Sequence, residues 1–327
     1  MTASAYVDIA PPMESAFLDA PYLVIPGVTT SLPVAVQLTN RNNDGTRHDV
    51  RLFGPAGWNG TGDQVGLDFA AEDESRIQQW AIQVPAEVKP GDYDFGIRLE
   101  GRVADGKEYP RNAVARVVDL IVPKDIRVGV IQSYDDTFVT TLRKMGVAHE
   151  TIEAKDFSLE HLQQFTTIIV DIRAYLVRED LVANNATLLD YVKQGGTLLV
   201  NYQKTFEWRP ELAPYPIHVS RNRVTREDAA MTVLDNVHPL FTTPNTIGAT
   251  DWDGWRQERG LYFPNKWDDA YTPLIECHDP DETIPPGSLL LADYGEGKYL
   301  YTALGWYRQL RELHPGALRV FANMLAL

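Results

Sequence analysis

The sequence predicts a β-sandwich followed by a doubly wound α/β domain, and three observations predict it. Between residues 20 and 122, apolar residues alternate with polar ones in short runs separated by turn signals. From residue 126 onward, continuous apolar runs take turns with helix-compatible stretches. The 327 residues exceed one ordinary core and suit two, at about 100–200 residues per domain. The predicted boundary is an exposed linker at Val122–Pro123–Lys124, where the alternation stops and Pro123 cannot extend a ladder. The predicted domains are therefore 1–122 and 123–327.

In the first domain Val34, Val36 and Leu38 alternate in PVAVQL, Trp80, Ile82 and Val84 in WAIQV, and Tyr93, Phe95, Ile97 and Leu99 in YDFGIRL. A period of two puts each set on one face of a half-buried strand. Turn signals lie between them: NNDG at 42–45, GPAGWNGTGD at 54–63, KPGD at 89–92 and ADGK at 104–107. Short strands at regular spacing with no helical pattern predict a sandwich. The segment VPAEVKPGDYDFGIRLEG resembles the end of immunoglobulin-like modules of extracellular enzymes. With a single cysteine, the domain is not of the antibody type.

In the second domain IRVGVI (126–131) has the continuous apolar character of a strand buried on both faces. A helix follows, with Phe138, Leu142 and Met145 on one face and Gly146 placed to end it. HETIEA reads as a strand and SLEHLQQF as a helix capped by Ser158. TIIVD (167–171) is the third strand. Leu181 to Lys193 is the third helix, closed by Gly195–Gly196, and TLLVNY (197–202) is the fourth strand. Residues 203–286 read as irregular and rich in Pro, Trp and Tyr. SLLLADY–GEG–KYLYTAL (288–304) reads as a hairpin, and residues 314–327 as a final helix. The alternation predicts a parallel, doubly wound, flavodoxin-like sheet with right-handed crossovers.

Composition excludes several function classes. Formal net charge is −15, with 10 basic and 17 acidic residues up to 122 and 20 against 28 thereafter. Both halves repel nucleic acid and anionic membranes at long range. No apolar run approaches the roughly 20 residues that span a bilayer, so no membrane insertion is expected. The N-terminal MTASAYVDIAPPMES lacks the basic start and apolar stretch of a secretory signal. The chain as it stands reads as cytoplasmic, or as exported if it is a fragment of a larger secreted protein. Cys277, the single cysteine, excludes an internal disulfide and any multi-cysteine zinc site, and reads as a small strand residue.

Ligands of open α/β sheets sit beyond the carboxyl ends of the strands. That rule selects Gln132–Asp136, Asp171–Tyr175 and Asn201–Lys204. Asp135 and Asp136 read either as caps of the first helix, with Arg173 pairing one of them, or as ligand contacts. The stretch 249–267 holds Trp252, Trp255, Tyr262, Phe263 and Trp267 among Asp251, Asp253, Arg256, Glu258 and Arg259. Aromatic faces beside carboxylates and guanidinium groups suit sugar rings. Equally, so long a loop needs a core of its own. The expected cleft is lined by Asp135, Arg173, Tyr175, Tyr202 and Gln203, with Asp136 beside it, and is covered by Trp255, Glu258 and Arg259. No serine-hydrolase elbow, zinc-protease helix or phosphate loop occurs, and no cofactor or metal is expected. His278, Asp279 and Asp281 flank Pro280 and make a poor cage.

The segment IRAYLVREDLVANNATLLDYVKQGGTLLVNYQ resembles the C-terminal region of large bacterial PIG-L (LmbE-like) deacetylases. So do PYPIHVSRNRVTREDAAMTVLDNVHPLFTTPNTIGATDWDGWRQERGLYFP and GSLLLADYGEGKYLYTALGWYRQL with the final FANMLAL. The likeness covers most of residues 20–327. It implies an immunoglobulin-like domain followed by a class I glutamine amidotransferase-like domain. The deacetylase's own His-Pro-Asp-Asp motif and later His pair are absent, with Ser133-Tyr134-Asp135-Asp136 at the equivalent turn. Amidotransferase-like folds place a nucleophilic Cys after the strand matched here by TLLVNYQ. Tyr202 or Gln203 stands in its place, so the resemblance implies a domain without that nucleophile. Related non-catalytic domains in sugar-processing enzymes aid trimerisation or shape a substrate cleft.

The sequence therefore reads as a non-catalytic accessory module of a carbohydrate-active system. Its expected partners are a sugar or glycoconjugate, a PIG-L deacetylase domain or subunit, or further copies of itself. A glycan hydrolase using carboxylates among Asp135, Asp136, Asp251 and Glu258 is the alternative, and a structural oligomerisation domain is the second.

Overall fold

A computed structural model describes residues 13–100, 112–283 and 287–327. The chain divides into two compact units between Asp119 and Leu120, three residues before the expected linker. The turn expected at 104–107 lies outside the described residues.

The first unit is a sandwich of two sheets. Its strands are β1 (Met13–Leu18), β2 (Tyr22–Val24), β3 (Ser31–Asn40), β4 (Thr46–Phe53), β5 (Gln64–Phe69), β6 (Ser75–Gln83), β7 (Gly91–Glu100) and β8 (Asn112–Val117). One sheet runs β1-β3-β6 and the other β2-β8-β7-β4-β5. The alternation works as period two requires: Val34, Val36 and Leu38 of β3 are fully buried, as are Ile82 of β6 and Phe95 of β7. Trp58, from the long turn at 54–63, fills the end of this core against Tyr93 and Phe95.

The second unit is α/β. The four predicted parallel strands are β9 (Arg127–Ile131), β10 (Ala148–Thr151), β11 (Thr167–Val170) and β12 (Thr197–Asn201). The stretch read as irregular supplies β13 (Ile217–Val219), β14 (Arg223–Val224), β15 (Met231–Val233), β16 (Gly260–Leu261), β17 (Pro264–Trp267) and β18 (Thr272–Cys277). The hairpin is β19 (Leu289–Tyr294) and β20 (Gly297–Thr302). The main sheet runs β10-β9-β11-β12-β20-β19-β18-β15. The first five strands are parallel, and the rest extend the sheet antiparallel. Their register aligns Ile131 with Val170, Val170 with Val200, and Asn201 with Thr302, so the loops that follow leave from one edge.

The helices are α1 (Thr137–Met145), α2 (Leu159–Leu162), α3 (Ala174–Val177), α4 (Glu179–Ala183), α5 (Asn185–Lys193), α6 (Pro239–Thr242), α7 (Trp306–Arg311) and α8 (Pro315–Leu325). Helix α1 buries Phe138, Leu142 and Met145 and ends at Gly146, whose φ of 73° is the left-handed cap that glycine adopts without strain. Ser158 caps α2, its hydroxyl accepting from the His161 amide at 3.2 Å. The single helix expected from Leu181 to Lys193 is instead α4 and α5, broken at Asn184. The break turns Asn185 inward, where it accepts the Tyr175 hydroxyl at 2.6 Å and donates to the Leu212 carbonyl at 3.1 Å. Sheet alternation separates two cores. Ile168, Val170, Leu198, Val200, Tyr299 and Tyr301 meet α2 and α5 on one face. On the other face the Thr167 hydroxyl reaches the last turn of α8, and Phe138 of α1 packs on Phe321 of α8.

Candidate functional site

The carboxyl edge is knitted together from below. Asp171 directly follows β11 and is almost fully buried. Its Oδ2 accepts the Ser133 amide at 3.0 Å and lies 2.8 Å from the Ser133 hydroxyl, and its Oδ1 accepts the Ile172 amide at 2.7 Å. Burial pushes its pKa up to about 6, against the opposing pull of these hydrogen bonds. Gln203, after β12, is wholly buried. It donates to the carbonyls of Asp171 (3.0 Å) and Asn201 (2.8 Å) and accepts from the Tyr175 amide (3.2 Å). Two strand ends and the start of α3 are thereby locked in register.

Above this frame lies Arg173, in the left-handed conformation at φ 56°. It follows β11 at the point where strand order reverses, the position where doubly wound sheets bind ligands. Its guanidinium is flanked by two exposed rings, Tyr134 at 5.9 Å and Phe206 at 6.0 Å. Its acid is Glu207, whose Oε2 is 3.5 Å from both Nε and Nη2 and whose side chain is 1% exposed. The other Glu207 oxygen accepts the Lys204 amide at 2.7 Å.

The edge continues past Tyr202, whose carbonyl accepts the Arg173 amide at 3.2 Å. Tyr202 stacks on Tyr262 at 6.0 Å and leans on Tyr307 at 6.4 Å. Lys204 Nζ lies 5.6 Å from the Tyr262 ring, and Arg308 lies 4.9 Å from that of Tyr307. Beyond Arg308 opens a cavity of about 430 Å³ lined by Glu227, Arg256, Gln257, Arg308, Arg311 and Glu312. Arg308 pairs with Glu258 at 2.8 Å and with the Gln257 amide oxygen. Arg311 pairs with Asp135.

The expected residues thus separate. Arg173 and Tyr202 belong to the edge strip, and Asp135 and Glu258 hold the arginines of the cavity. Arg173 does not pair with Asp135: Glu207, from the loop read as irregular, is its acid. The cap of α1 is Asp135, accepting the Thr137 amide at 2.8 Å, whereas Asp136 makes no side-chain cap bond. Tyr175 and Gln203 are interior struts rather than cleft lining. Trp255 and Arg259 are also buried. The indole packs on Trp252 (5.5 Å) and Trp306 (5.2 Å), and Arg259 donates to the Trp252 carbonyl at 2.6 Å. The 249–267 loop therefore forms a core of its own, and only Tyr262 among its aromatics stacks within the strip. Sequence reasoning missed Glu207 and the cavity's Glu227, Gln257, Arg308, Arg311 and Glu312. The spacing of Arg308 and Arg311, one turn apart on α7, is the signal that could have found two of them.

Among the described residues one His-carboxylate group comes within metal-ligand reach, Glu150, Asp156 and His161 on the outer side of the sheet. Glu150 is tied to Arg127 at 2.7 Å, and Asp156 accepts the Glu153 amide at 2.9 Å. Asp279 accepts the amides of Thr225 and Arg226 and the Thr225 hydroxyl, so it pins a loop.

No protein-family model matches the chain, and no curated protein does. Solved structures similar to it include a cold-adapted β-galactosidase from Rahnella sp. R3, at 16% identity and a TM-score of 0.40 over 62% of this chain and 31% of that one. A putative GMP synthase component from Thermoplasma acidophilum is similar at 9% identity and a TM-score of 0.40, over 62% of this chain and 94% of that one. A β-galactosidase from Bacillus circulans sp. alkalophilus gives 12%, 0.38, 62% and 31%. The chain spans under a third of the length of either β-galactosidase.

Proposed function

We propose that this chain is a non-catalytic accessory module of a carbohydrate-active system of the PIG-L deacetylase type, and that it binds a glycan or glycoconjugate at the carboxyl edge of its sheet. The strand order 2-1-3-4-5 of the parallel part supports reading the second unit as flavodoxin-like and amidotransferase-like. The two-sheet sandwich supports reading the first as immunoglobulin-like.

The observation that carries the proposal is the make-up of the edge. From Tyr134 to the cavity it offers ring faces interleaved with guanidinium groups and carboxylates, most of them already paired. Such a surface matches the C–H faces and hydroxyls of sugars without demanding a reaction. The elbow after β12 holds Tyr202 and Gln203 in place of a thiolate. Tyr202 is 5% exposed, and burial raises its phenol further above neutrality, so it is no nucleophile. Three of the four carboxylates weighed for hydrolysis are engaged, Asp135 by Arg311, Glu258 by Arg308 and Asp251 by Arg319, and the fourth, Asp136, is exposed.

Calorimetric titration of the whole chain with cellotetraose, chitotetraose and tetragalacturonate tests the proposal. We expect at least one to bind, and the double substitution Tyr134→Ala, Phe206→Ala to weaken it about tenfold, the size of one or two stacking contacts. Silence with all three, or binding untouched by the double substitution, refutes it.

A further inference from the structure

The strip is not uniform in charge. Around the cavity, guanidinium groups and carboxylates alternate and pair. At the other end, three side chains stand out. Arg173 has one acid, Glu207, which it touches through a single oxygen at the outer limit of a hydrogen bond. The second oxygen of Glu207 accepts the Lys204 amide at 2.7 Å. Arg173 Nε is buried without a hydrogen-bond partner. Among the described residues, the Lys204 ammonium meets the face of Tyr262 alone. Asp171, two residues before Arg173, does not compensate, since both its oxygens turn down to Ser133 and the Ile172 amide. Arg173 and its one acid Glu207 therefore share this edge with a second cation, Lys204, in a chain of net charge −15.

The fork also has walls. Tyr134 and Phe206 are 67% and 68% exposed, and each ring lies about 6 Å from the same guanidinium carbon. A hydroxyl would satisfy one donor there and leave the charge unanswered. A carboxylate matches the planar fork with two parallel hydrogen bonds. A sugar ring stacked on Tyr134 or Phe206 with its C6 substituent turned to Arg173 would bring a C6 carboxylate to a guanidinium about 6 Å from the ring centroid.

We propose that Arg173, flanked by Tyr134 and Phe206 and assisted by Lys204, is a carboxylate-recognition subsite, and that the glycan bound at this edge carries hexuronate units. The inference rests on the glycan-binding reading and names the class of glycan.

The test compares trigalacturonate with its methyl ester, which has the same rings and linkages but no charge, by calorimetric titration of the whole chain. We expect the free acid to bind at least tenfold more tightly than the ester. Arg173→Lys keeps one positive charge but loses the fork, so it should remove most of that preference, the free acid losing more affinity than the ester. Lys204→Gln, on a partly exposed side chain, should reduce the preference a few fold, and it serves as the second variant if Arg173→Lys perturbs the fold by circular dichroism. Equal affinity for acid and ester, or a preference that survives both substitutions, overturns the uronate subsite and leaves neutral-glycan binding standing. Binding of neither overturns the subsite, and if cellotetraose and chitotetraose also fail, the glycan reading falls with it.

Discussion

Lowering the pH from 8 to 5 should stabilise the α/β unit through one residue, Asp171. Its carboxyl is 1% exposed, and burial raises its pKa from 3.8 to about 6. The hydrogen bonds from Ser133 and Ile172 pull the other way without cancelling the burial. The Ser133 hydroxyl lies 2.8 Å from Asp171 Oδ2 and 2.7 Å from the Ile172 carbonyl oxygen, and its single proton cannot serve both. A protonated carboxyl resolves the conflict by donating to Ser133, which then donates to Ile172. A raised carboxyl pKa means that the folded chain holds the proton more tightly than the unfolded one. The stability of the neutral form is complete below pH 3.8 and is lost as pH rises through about 6. The full penalty at pH 8 is about 3 kcal/mol, and about 1.4 kcal/mol of it is recovered by pH 5. Asp171→Asn is the reference, because its amide cannot titrate. Whichever way that amide turns, its NH₂ faces either the Ser133 or the Ile172 amide, a donor against a donor, at a cost independent of pH. Urea unfolding followed by tryptophan fluorescence reports this unit, since five of the seven tryptophans lie within it. The stability difference between wild type and Asp171→Asn should grow by about 1.4 kcal/mol between pH 8 and pH 5. A difference that stays flat across that range would refute both the raised pKa and the proton count.

Two further outcomes follow from burial. Cys277 is 2% exposed, and burial pushes its thiol up to about 12, with Arg259 pulling weakly the other way. It should resist a thiol-specific reagent at pH 8 until urea unfolds the chain, and Cys277→Ala should leave glycan binding unchanged; rapid labelling of the native protein refutes this. Gly316, in the first turn of α8, faces the backbone of Asp251, and a methyl group there would run into the Asp251 carbonyl that accepts the Trp255 indole at 3.2 Å. Gly316→Ala should therefore cost about 1–3 kcal/mol and shift tryptophan emission to the red, and unfolding curves superimposable on wild type would show that the contact is loose.

The parallel strands were legible because each is a continuous apolar run buried on both faces, and Gly146 and Ser158 mark helix ends by local chemistry. What the sequence hid is what depends on distant partners. Strands β13 to β17 are two to four residues long and carry no readable period. Each exists because a remote segment pairs with it, as Ile217 does with Trp267 across 50 residues. The break at Asn184 was hidden for the same reason: nothing in ANNATLLD announces that Asn185 will turn inward to meet Tyr175. The fold rule took the segments after β9, β11 and β12 to one edge of the sheet, but it could not say which side chains point up from that edge and which point down. Asp171 and Gln203 point down into the frame, and Arg173 points up. Charge pairing was equally out of reach, since Asp135 meets an arginine 176 residues away.

Backbone strain offers an independent reason to read this edge as a recognition surface. Eight non-glycine residues with positive φ occur among the described residues. Four are aspartates, whose short polar side chains tolerate that conformation. The other four are Arg173, Gln257, Tyr262 and Leu313. Leu313 adjoins Glu312 of the cavity, and the remaining three lie on the strip itself. A long side chain in the left-handed region costs about 1–2 kcal/mol that glycine would avoid. If these loops served only to cover the end of the sheet, glycine would do better at each turn. Instead each strained position aims a distinct chemical group along the edge: the guanidinium between Tyr134 and Phe206, the amide that holds Arg308, and the ring that carries Lys204. Strain of this kind persists only where the surrounding structure overdetermines it, and it gathers at ligand clamps. What the edge retains at that cost is the identity of its side chains, as the proposed binding surface requires.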